Sequence, residues 1–192
     1  MGPMRISDRI KQDHREIESL YQKIIQSSDT HELVRLQNMF TWELARHAVG
    51  EELVLYPAFE KYMRDGKDSA DKDRREHKVI KDKLRQFQEL LVSDARFHPY
   101  ITSLMEDLSK HIQEEEEIDL VRLEQAITDT ESEKLSKSFS RTKIFVPTRS
   151  HPGAPDKPPF ETAVGLLMAP IDRLQNIFRK WPSGEVTPDP SM

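Results

Sequence analysis

Two histidine–glutamate pairs with the same spacing stand out among the residues that could do chemistry. His47 and Glu51 are four residues apart, and so are His111 and Glu115. On an α-helix, residues four apart lie one above the other, so each pair presents an imidazole and a carboxylate on one face. The rest of each face is apolar, with steps of three or four residues that are typical of a helix packed in a core. The two apolar stripes are Phe40, Leu44, Val54 and Ala58, and Ile101, Leu104, Leu108 and Ile118.

Two further histidines interrupt apolar stripes elsewhere in the chain. His14 lies among Ile6, Ile10, Ile17, Tyr21 and Ile24, and His77 lies among Asp73, Ile80, Leu84, Phe87 and Leu91. Burying an imidazole or a carboxylate without a partner is costly, so a core position calls for one. A single histidine on an apolar face is more often structural than a ligand. Here, however, each of four apolar faces carries one histidine, and two of these histidines have a paired glutamate. This joint pattern predicts a metal site.

Four amphipathic helices must position these residues. We predict helices over residues 5–26, 30–63, 70–92 and about 99–128, joined by short polar connections. Pro57 lies inside the second helix and is expected to kink it. This order predicts an all-α fold, an up-down-up-down antiparallel four-helix bundle. At about 1.5 Å of rise per residue, the four histidines fall within roughly one helical turn of a common level.

The residue types indicate which cations the site would hold. Neutral imidazoles and carboxylates suit first-row ions such as iron, manganese and zinc. Six side-chain ligands exceed the needs of one tetrahedral zinc ion, and carboxylates can bridge two ions. The sequence therefore predicts a dinuclear centre, and its candidate ligands are His14, His47, Glu51, His77, His111 and Glu115.

Four segments of the chain resemble the hemerythrin-like, or HHE cation-binding, family. They are Asp13–Ile17, His47–Glu52, Arg75–His77 and His111–Glu117, within about residues 5–128. The resemblance implies a non-haem centre of two iron ions inside a four-helix bundle. It also implies that the four histidines are terminal ligands and that Glu51 and Glu115 bridge. Glu52 is the alternative to Glu51, but one further residue turns a side chain by about 100° away from the core face.

Asp73 is where this sequence departs from the family's oxygen carriers, which have a fifth histidine there. Either Asp73 is a ligand, or one iron carries an extra water; a third possibility is that Asp73 caps its helix or is solvated. A more open iron site would favour reaction with dioxygen or peroxide over reversible carriage. Of the other side chains, Tyr21 and Tyr56 could donate hydrogen bonds near the centre, although core packing is the favoured role for Tyr21. His31, His98 and His151 are interpreted as structural.

These observations leave three function classes. The leading expectation is a di-iron protein that binds dioxygen or a related small oxidant, with a role in oxygen or iron handling or redox sensing. The alternative is an enzyme, a di-iron oxygenase or peroxidase that acts on a small apolar substrate. The third is a structural bundle whose histidines are merely buried.

The C-terminal third of the chain has a different character. We predict a bundle over residues 1–130 and an extension over residues 131–192. The extension would contain a short polar helix from Glu131 to Lys143, a segment with five prolines between residues 145 and 159, and an amphipathic helix over 160–179. We expect it to pack on the bundle; docking in a dimer or on a membrane surface is the rival interpretation.

Composition excludes several other functions. There is no cysteine, which rules out disulfides and thiolate ligands. A net charge of −5 provides no basic surface for nucleic acid. No stretch is long and apolar enough to span a membrane, and we expect a cytoplasmic monomer or homodimer.

Overall fold

Seven α-helices make up nearly all of residues 4–145, the part of the chain that this computed structural model describes. They are α1 (Ile6–Gln26), α2 (Thr30–Gly50), α3 (Tyr56–Tyr62), α4 (Gly66–Glu89), α5 (Phe97–Glu114), α6 (Leu120–Ala126) and α7 (Asp129–Phe145). One π-helical turn, Glu51–Leu55, joins α2 to α3, and a second, Glu115–Asp119, joins α5 to α6. The predicted proline-rich segment and the helix over 160–179 lie outside the described residues.

Four of the resulting helical rods form the predicted bundle. The rods are α1, α2 with α3, α4, and α5 with α6, and short connections make consecutive rods antiparallel neighbours. The first connection ends at Asp29, whose carboxylate accepts hydrogen bonds from the backbone N–H groups of His31 and Glu32 and so caps α2. The all-α four-helix bundle is confirmed. Between residues 4 and 145, no helix has both the length and the apolar character needed to cross a membrane.

The core consists of two apolar clusters separated by a polar layer. One cluster contains Ile17, Phe40, Leu84 and Phe97, and the other contains Ile10, Leu55, Phe59 and Leu123. Along each of the four rods, a buried histidine and its polar neighbours lie at the boundary between the two clusters. All four predicted histidines lie in this layer.

The π-turns change which residues face the core beyond the polar layer. A π-turn takes up one more residue than an α-turn, so the buried face shifts by one position. Ile118, which the helical period placed in the core, is therefore exposed, and Asp119 is buried instead. Pro57 lies in the first turn of α3, just after the π-turn Glu51–Leu55, and the kink expected there stays a prediction. Leu91 was also wrongly assigned to the core, because α4 ends at Glu89 and leaves it exposed.

Helix α7 is longer than predicted, and one of its faces is buried. It packs against α1, α2 and the first π-turn. Its inner face consists of Ser132, Ser136, Phe139 and Lys143, all buried. The predicted domain boundary at residue 130 stays a prediction, and the described part of the extension is in contact with the bundle.

Candidate metal centre

Imidazoles from four helices point their Nε2 atoms into the polar layer. The Nε2 atoms of His77 and His111 are 3.0 Å apart. Across the layer, His47 Nε2 lies 3.0 Å from Glu51 Oε1, and His14 Nε2 lies 3.4 Å from Glu115 Oε2. The structure thus brings all six predicted ligands together, each with its side chain buried.

Glu51 occupies the middle of this arrangement. Its Oε1 atom faces His47, and its Oε2 atom lies 3.3 Å from His77 Nε2. Two groups of side chains could each hold a cation, with ligand atoms within 4.8 Å of one another: His14, His47 and Glu51, and Glu51, His77 and His111. Glu51 belongs to both groups, which is the position a bridging carboxylate needs.

The inward-facing atoms lack the hydrogen bonds that buried polar atoms normally have. Within residues 4–145, no hydrogen-bond partner exists for the Nε2 atoms of His14 and His47 or for any carboxylate oxygen of Glu51 and Glu115. Buried polar groups are rarely left in this condition. Ligand atoms about 2.0–2.2 Å from one ion are roughly 3 Å apart, close to the separations seen here. The donor set of nitrogen and oxygen atoms therefore fits first-row cations.

Comparison with known sequences agrees with this geometry. The sequence profile of the hemerythrin HHE cation-binding domain matches residues 5–123, which contain all six predicted ligands. The chain belongs to the hemerythrin HHE cation-binding family. The hemerythrin-like match ends before α7 begins.

Two relatives and one solved structure are similar to this hemerythrin-like chain. An uncharacterized hemerythrin-like protein of Schizosaccharomyces pombe is 52% identical over 93% of this chain and 88% of its own. A DNA nickase of Nostoc is 24% identical over 76% of this chain, which spans only 41% of that protein. The crystal structure of a hemerythrin HHE domain-containing protein from Mycobacterium kansasii superposes with a TM-score of 0.65. It has 22% identity, over 73% of this chain and 85% of that one, so the likeness concerns the fold.

A ring of four carboxylates surrounds the hemerythrin-like site, one facing the outer nitrogen of each histidine. The Nδ1–oxygen distances are 2.8 Å for His14–Glu116, 3.5 Å for His47–Asp13, 3.3 Å for His77–Glu52 and 2.9 Å for His111–Glu76. At His14, His77 and His111, a carboxylate bonded to Nδ1 holds the imidazole proton on the outside and leaves the Nε2 lone pair facing inward, the tautomer that a metal ligand requires. Asp13 faces His47 Nδ1 without forming a hydrogen bond in the described part of the chain.

Each of these outer carboxylates also contacts a basic side chain. The contacts are Glu116 with Arg15, Asp13 with Lys143, Glu52 with Lys81 and Glu76 with Lys72. None of the four carboxylates was predicted from the sequence to have this role. Their one visible signal was position, since each is next in sequence to a predicted ligand. Glu52 does turn away from the centre as expected, but it stays buried.

The electrostatics of the layer follow from this crowding of carboxylates and imidazoles. Burial alone would lower the pKa of His77, but the nearby carboxylates of Glu51 and Glu52 raise that pKa to about 10. Burial would raise the pKa of Glu51, and the surrounding imidazoles instead hold it well below its usual range. The side chains therefore favour imidazolium and carboxylate together when protons are the only cations present.

Asp73 is buried beside this centre, neither capping a helix nor solvated. It lies seven residues into α4, and its Oδ2 atom has no hydrogen-bond partner in the described part of the chain. One of its carboxylate oxygens lies within 4.8 Å of a carboxylate oxygen of Glu76 and of a ring nitrogen of His111. Burial and the charges of Glu115 and Asp119 raise the pKa of Asp73 to about 8. The alternative of a cap or a solvated side chain was wrong, and ligation by Asp73 stays a prediction.

The two tyrosines differ in their relation to the site. The hydroxyl of Tyr56 is fully buried and lies 2.9 Å from His77 Nε2, at the inner side of the imidazole. Tyr21 packs against the apolar cluster far from the ligands. His31 and His98 are exposed, and His151 lies outside the described residues.

Proposed function

We propose that this hemerythrin-like chain holds two iron ions and binds dioxygen or a related small oxidant, with a role in oxygen or iron handling or redox sensing. The observation that carries the proposal is the set of buried, inward-facing nitrogen and carboxylate atoms that make no hydrogen bond within residues 4–145. If His14 and His47 merely stabilised a core, their inner nitrogens would be expected to find hydrogen-bond partners. The third function class, a purely structural bundle, is therefore not favoured.

The proposed roles follow the two groups of side chains. His14 and His47 would hold one ion, and His77 and His111 would hold the other. Glu51 would bridge the two ions, and Glu115 would serve as the second bridging carboxylate. Asp73 is a possible additional ligand near His111. Manganese and zinc suit the same donor atoms, so the choice of iron rests on the family.

Bound iron would supply a change between ferrous and ferric states, which is what binding or reduction of dioxygen or peroxide needs. The chain's own contribution would be to set the tautomers of His14, His77 and His111 through the outer carboxylates bonded to them. The two apolar clusters above and below the layer would keep bulk water away from the centre. Tyr56 would place a hydroxyl donor at the same level.

The second candidate is a di-iron oxygenase or peroxidase acting on a small apolar substrate. Asp73 favours it, because a carboxylate in place of a fifth histidine leaves fewer nitrogen ligands and a more open site. Nucleic acid is not a proposed partner, since the net charge of −5 offers no basic field. The DNA nickase relative does not change this, because the chain spans less than half of that protein.

Metal analysis of protein purified from iron-supplemented cells tests the proposal. We expect close to two irons per chain, with loss of most of the metal in His47→Ala. His31→Ala is the matched control, because His31 is exposed near the start of α2, and it should keep its metal. Less than about one iron per chain in the wild type would contradict the di-iron assignment.

Titration of the anaerobically reduced protein with oxygen separates the two candidates. A reversible optical change, restored by removing oxygen, is expected for a binding protein. Irreversible oxidation with multiple turnovers of peroxide, or oxygenation of an added apolar compound, would favour the enzyme instead. Wild-type protein and the His31→Ala control should behave alike in this experiment.

A further inference from the structure

Helix α7 lies outside the matched family domain, yet it reaches the level of the candidate metal centre. Its Phe139 ring is fully buried, with its centre 6.2 Å from that of the His47 ring. The same ring lies against Gly50, where a Cβ atom would come within 2.8 Å of it. The added helix is therefore seated directly on the turn that carries His47 and Glu51.

Lys143, four residues after Phe139, inserts its ammonium group between α1 and α2. The side chain is only 4% exposed and pairs closely with Asp13, and its Nζ atom lies 3.4 Å from Glu43. The guanidinium of Arg46 donates a hydrogen bond of 2.7 Å to the Lys143 carbonyl and so fixes the end of the helix. Burying an ammonium group is costly unless it is paired with a negative charge. The carboxylates of Asp13 and Glu43 provide that charge for Lys143.

The two oxygens of Asp13 have different partners. Arg9 donates a hydrogen bond to Oδ1, whereas Lys143 holds Oδ2. Oδ2 is also the oxygen that faces His47 Nδ1, at 3.5 Å. Lys143 thus holds the same carboxylate atom that is available to orient the His47 ring.

The opposite side of the centre contains the same arrangement. There, Lys81 donates to Glu52 at 2.7 Å, and the same Glu52 oxygen lies 3.3 Å from the outer nitrogen of His77. Lys81 belongs to α4, inside the family domain, whereas Lys143 comes from the added helix. Each proposed ion would therefore have one histidine beside a carboxylate that is paired with a buried lysine.

We propose that Lys143 is a positioning residue for the metal centre. It holds Asp13 against His47, so that α7 contributes to metal affinity. The inference rests on the proposed function, because metal retention is its main measure. Replacing a residue that supports a metal-binding histidine typically costs 10–100-fold in affinity. The loss should concern the ion held by His14 and His47, since Lys143 has no contact with His77 or His111 among its described partners.

Anaerobic titration with Fe²⁺ against a competing chelator tests the proposal in the full chain. In Lys143→Met we expect one of the two ions to bind roughly 10–100-fold more weakly and the other as in the wild type. Lys137→Met is the matched control, because Lys137 is exposed on the same helix, and both of its ions should bind normally. If Lys143→Met bound each of the two ions with the same affinity as the wild type, the inference would be overturned.

A double variant guards against loss of folding. Lys143→Met leaves a buried carboxylate without its cation, which destabilises proteins. Asp13→Asn combined with Lys143→Met removes both charges and should fold more stably, with the same selective loss of one ion. If the folded double variant retained both ions with wild-type affinity, Lys143 and Asp13 would have no positioning role.

The metal-free protein provides a readout that does not depend on the proposed function. The ring carbon and proton resonances of His47 should form one sharp set in the wild type and in Lys137→Met. They should be doubled or broadened in Lys143→Met, where the ring loses its oriented carboxylate. A wild type that binds no metal would refute the di-iron proposal alone, whereas unchanged His47 resonances in Lys143→Met would refute the positioning role.

Discussion

Neighbouring glutamates at the start of the first π-turn have opposite surroundings. Glu51 faces three imidazole Nε2 atoms and makes no hydrogen bond within the described residues. Glu52, one residue later, bonds to Lys81 and faces the outer nitrogen of His77. The cause is the rotation of about 100° per residue along a helix. The same Glu→Gln substitution at positions 51 and 52 can therefore separate the role of the inner carboxylate from that of the outer one.

Glu51→Gln should remove both metal ions, because Glu51 belongs to both groups of candidate ligands. Glu52→Gln should leave both ions bound, with the ion near His77 held roughly 10–100-fold more weakly. It should also lower the free energy of unfolding by about 3–5 kcal/mol, since it removes the charge opposite a buried lysine. Metal analysis and urea denaturation of the two variants check this. Equal metal content in both would contradict the distinct roles.

The inner and outer residues of the site were not equally accessible to sequence reasoning. His14, His47, His77 and His111 were predictable, because their position on an apolar stripe is a local property of one helix. The outer carboxylates were not, because their role depends on which residue of a neighbouring helix they meet. Glu76, for instance, supports His111 from another helix, 35 residues away in sequence. Burial of Asp73 depends in the same way on packing against neighbouring helices.

At the scale of helices, the two π-turns and α7 account for most differences between prediction and structure. A constant period of 3.6 residues describes α2 and α5 well but fails beyond Glu115, where the π-turn adds a residue. In α7, the inner residues 132, 136, 139 and 143 have helical spacing, but only Phe139 is apolar. Such a face resembles a solvated one in sequence, so its burial became visible only through contacts with the bundle.

The contact between Gly50 and Phe139 predicts how tightly α7 is seated. Phe139→Ala should lower the free energy of unfolding by about 3–5 kcal/mol, because it leaves a cavity where the buried ring packs against the bundle. Gly50→Ala adds a methyl group within 2.8 Å of the ring and should also destabilise the wild type. In the Phe139→Ala background, the same methyl group has room and raises helix propensity, so it should be stabilising.

Urea denaturation of the four proteins in this cycle measures the coupling between the two positions. Changes at contacting residues are typically non-additive by 0.5–3 kcal/mol. If the effects of the two substitutions on the free energy of unfolding simply added, the Phe139 ring of α7 would not be in tight contact with Gly50. Lys137→Ala, on the exposed side of α7, is the control for changes in helix propensity alone.

At the scale of the whole molecule, a layer of ionisable groups lies between two apolar clusters. Because buried negative charge is costly, cations must balance the carboxylates of this layer. Protons can do this in the metal-free protein, and metal ions would do it in the loaded one. Metal binding should therefore release protons, because ligating imidazoles must be neutral. Isothermal titration in buffers of different ionisation enthalpy should detect roughly one to three protons released per chain at pH 7. Binding without proton release would contradict the raised pKa values of the histidines.

The same balance predicts that the metal-free protein loses stability as pH rises from about 6.5 to 8. The pKa of His77 is about 10 in the folded chain against an ordinary 6.5, and that of Asp73 is about 8 against 3.8. Both groups bind more protons in the folded than in the unfolded state across this window, so the free energy of unfolding must fall with pH. Two such groups give a slope of roughly 1–3 kcal/mol per pH unit.

Urea denaturation at several pH values, with chelator present, measures this slope. Asp73→Asn keeps the shape of the protonated side chain but cannot ionise, so it should reduce the slope and stabilise the metal-free protein at pH 8. Loading with metal should flatten the dependence, because the ions replace the protons on the imidazoles. A metal-free wild type whose stability is constant or rises between pH 6.5 and 8 would show that protons do not balance the buried carboxylates.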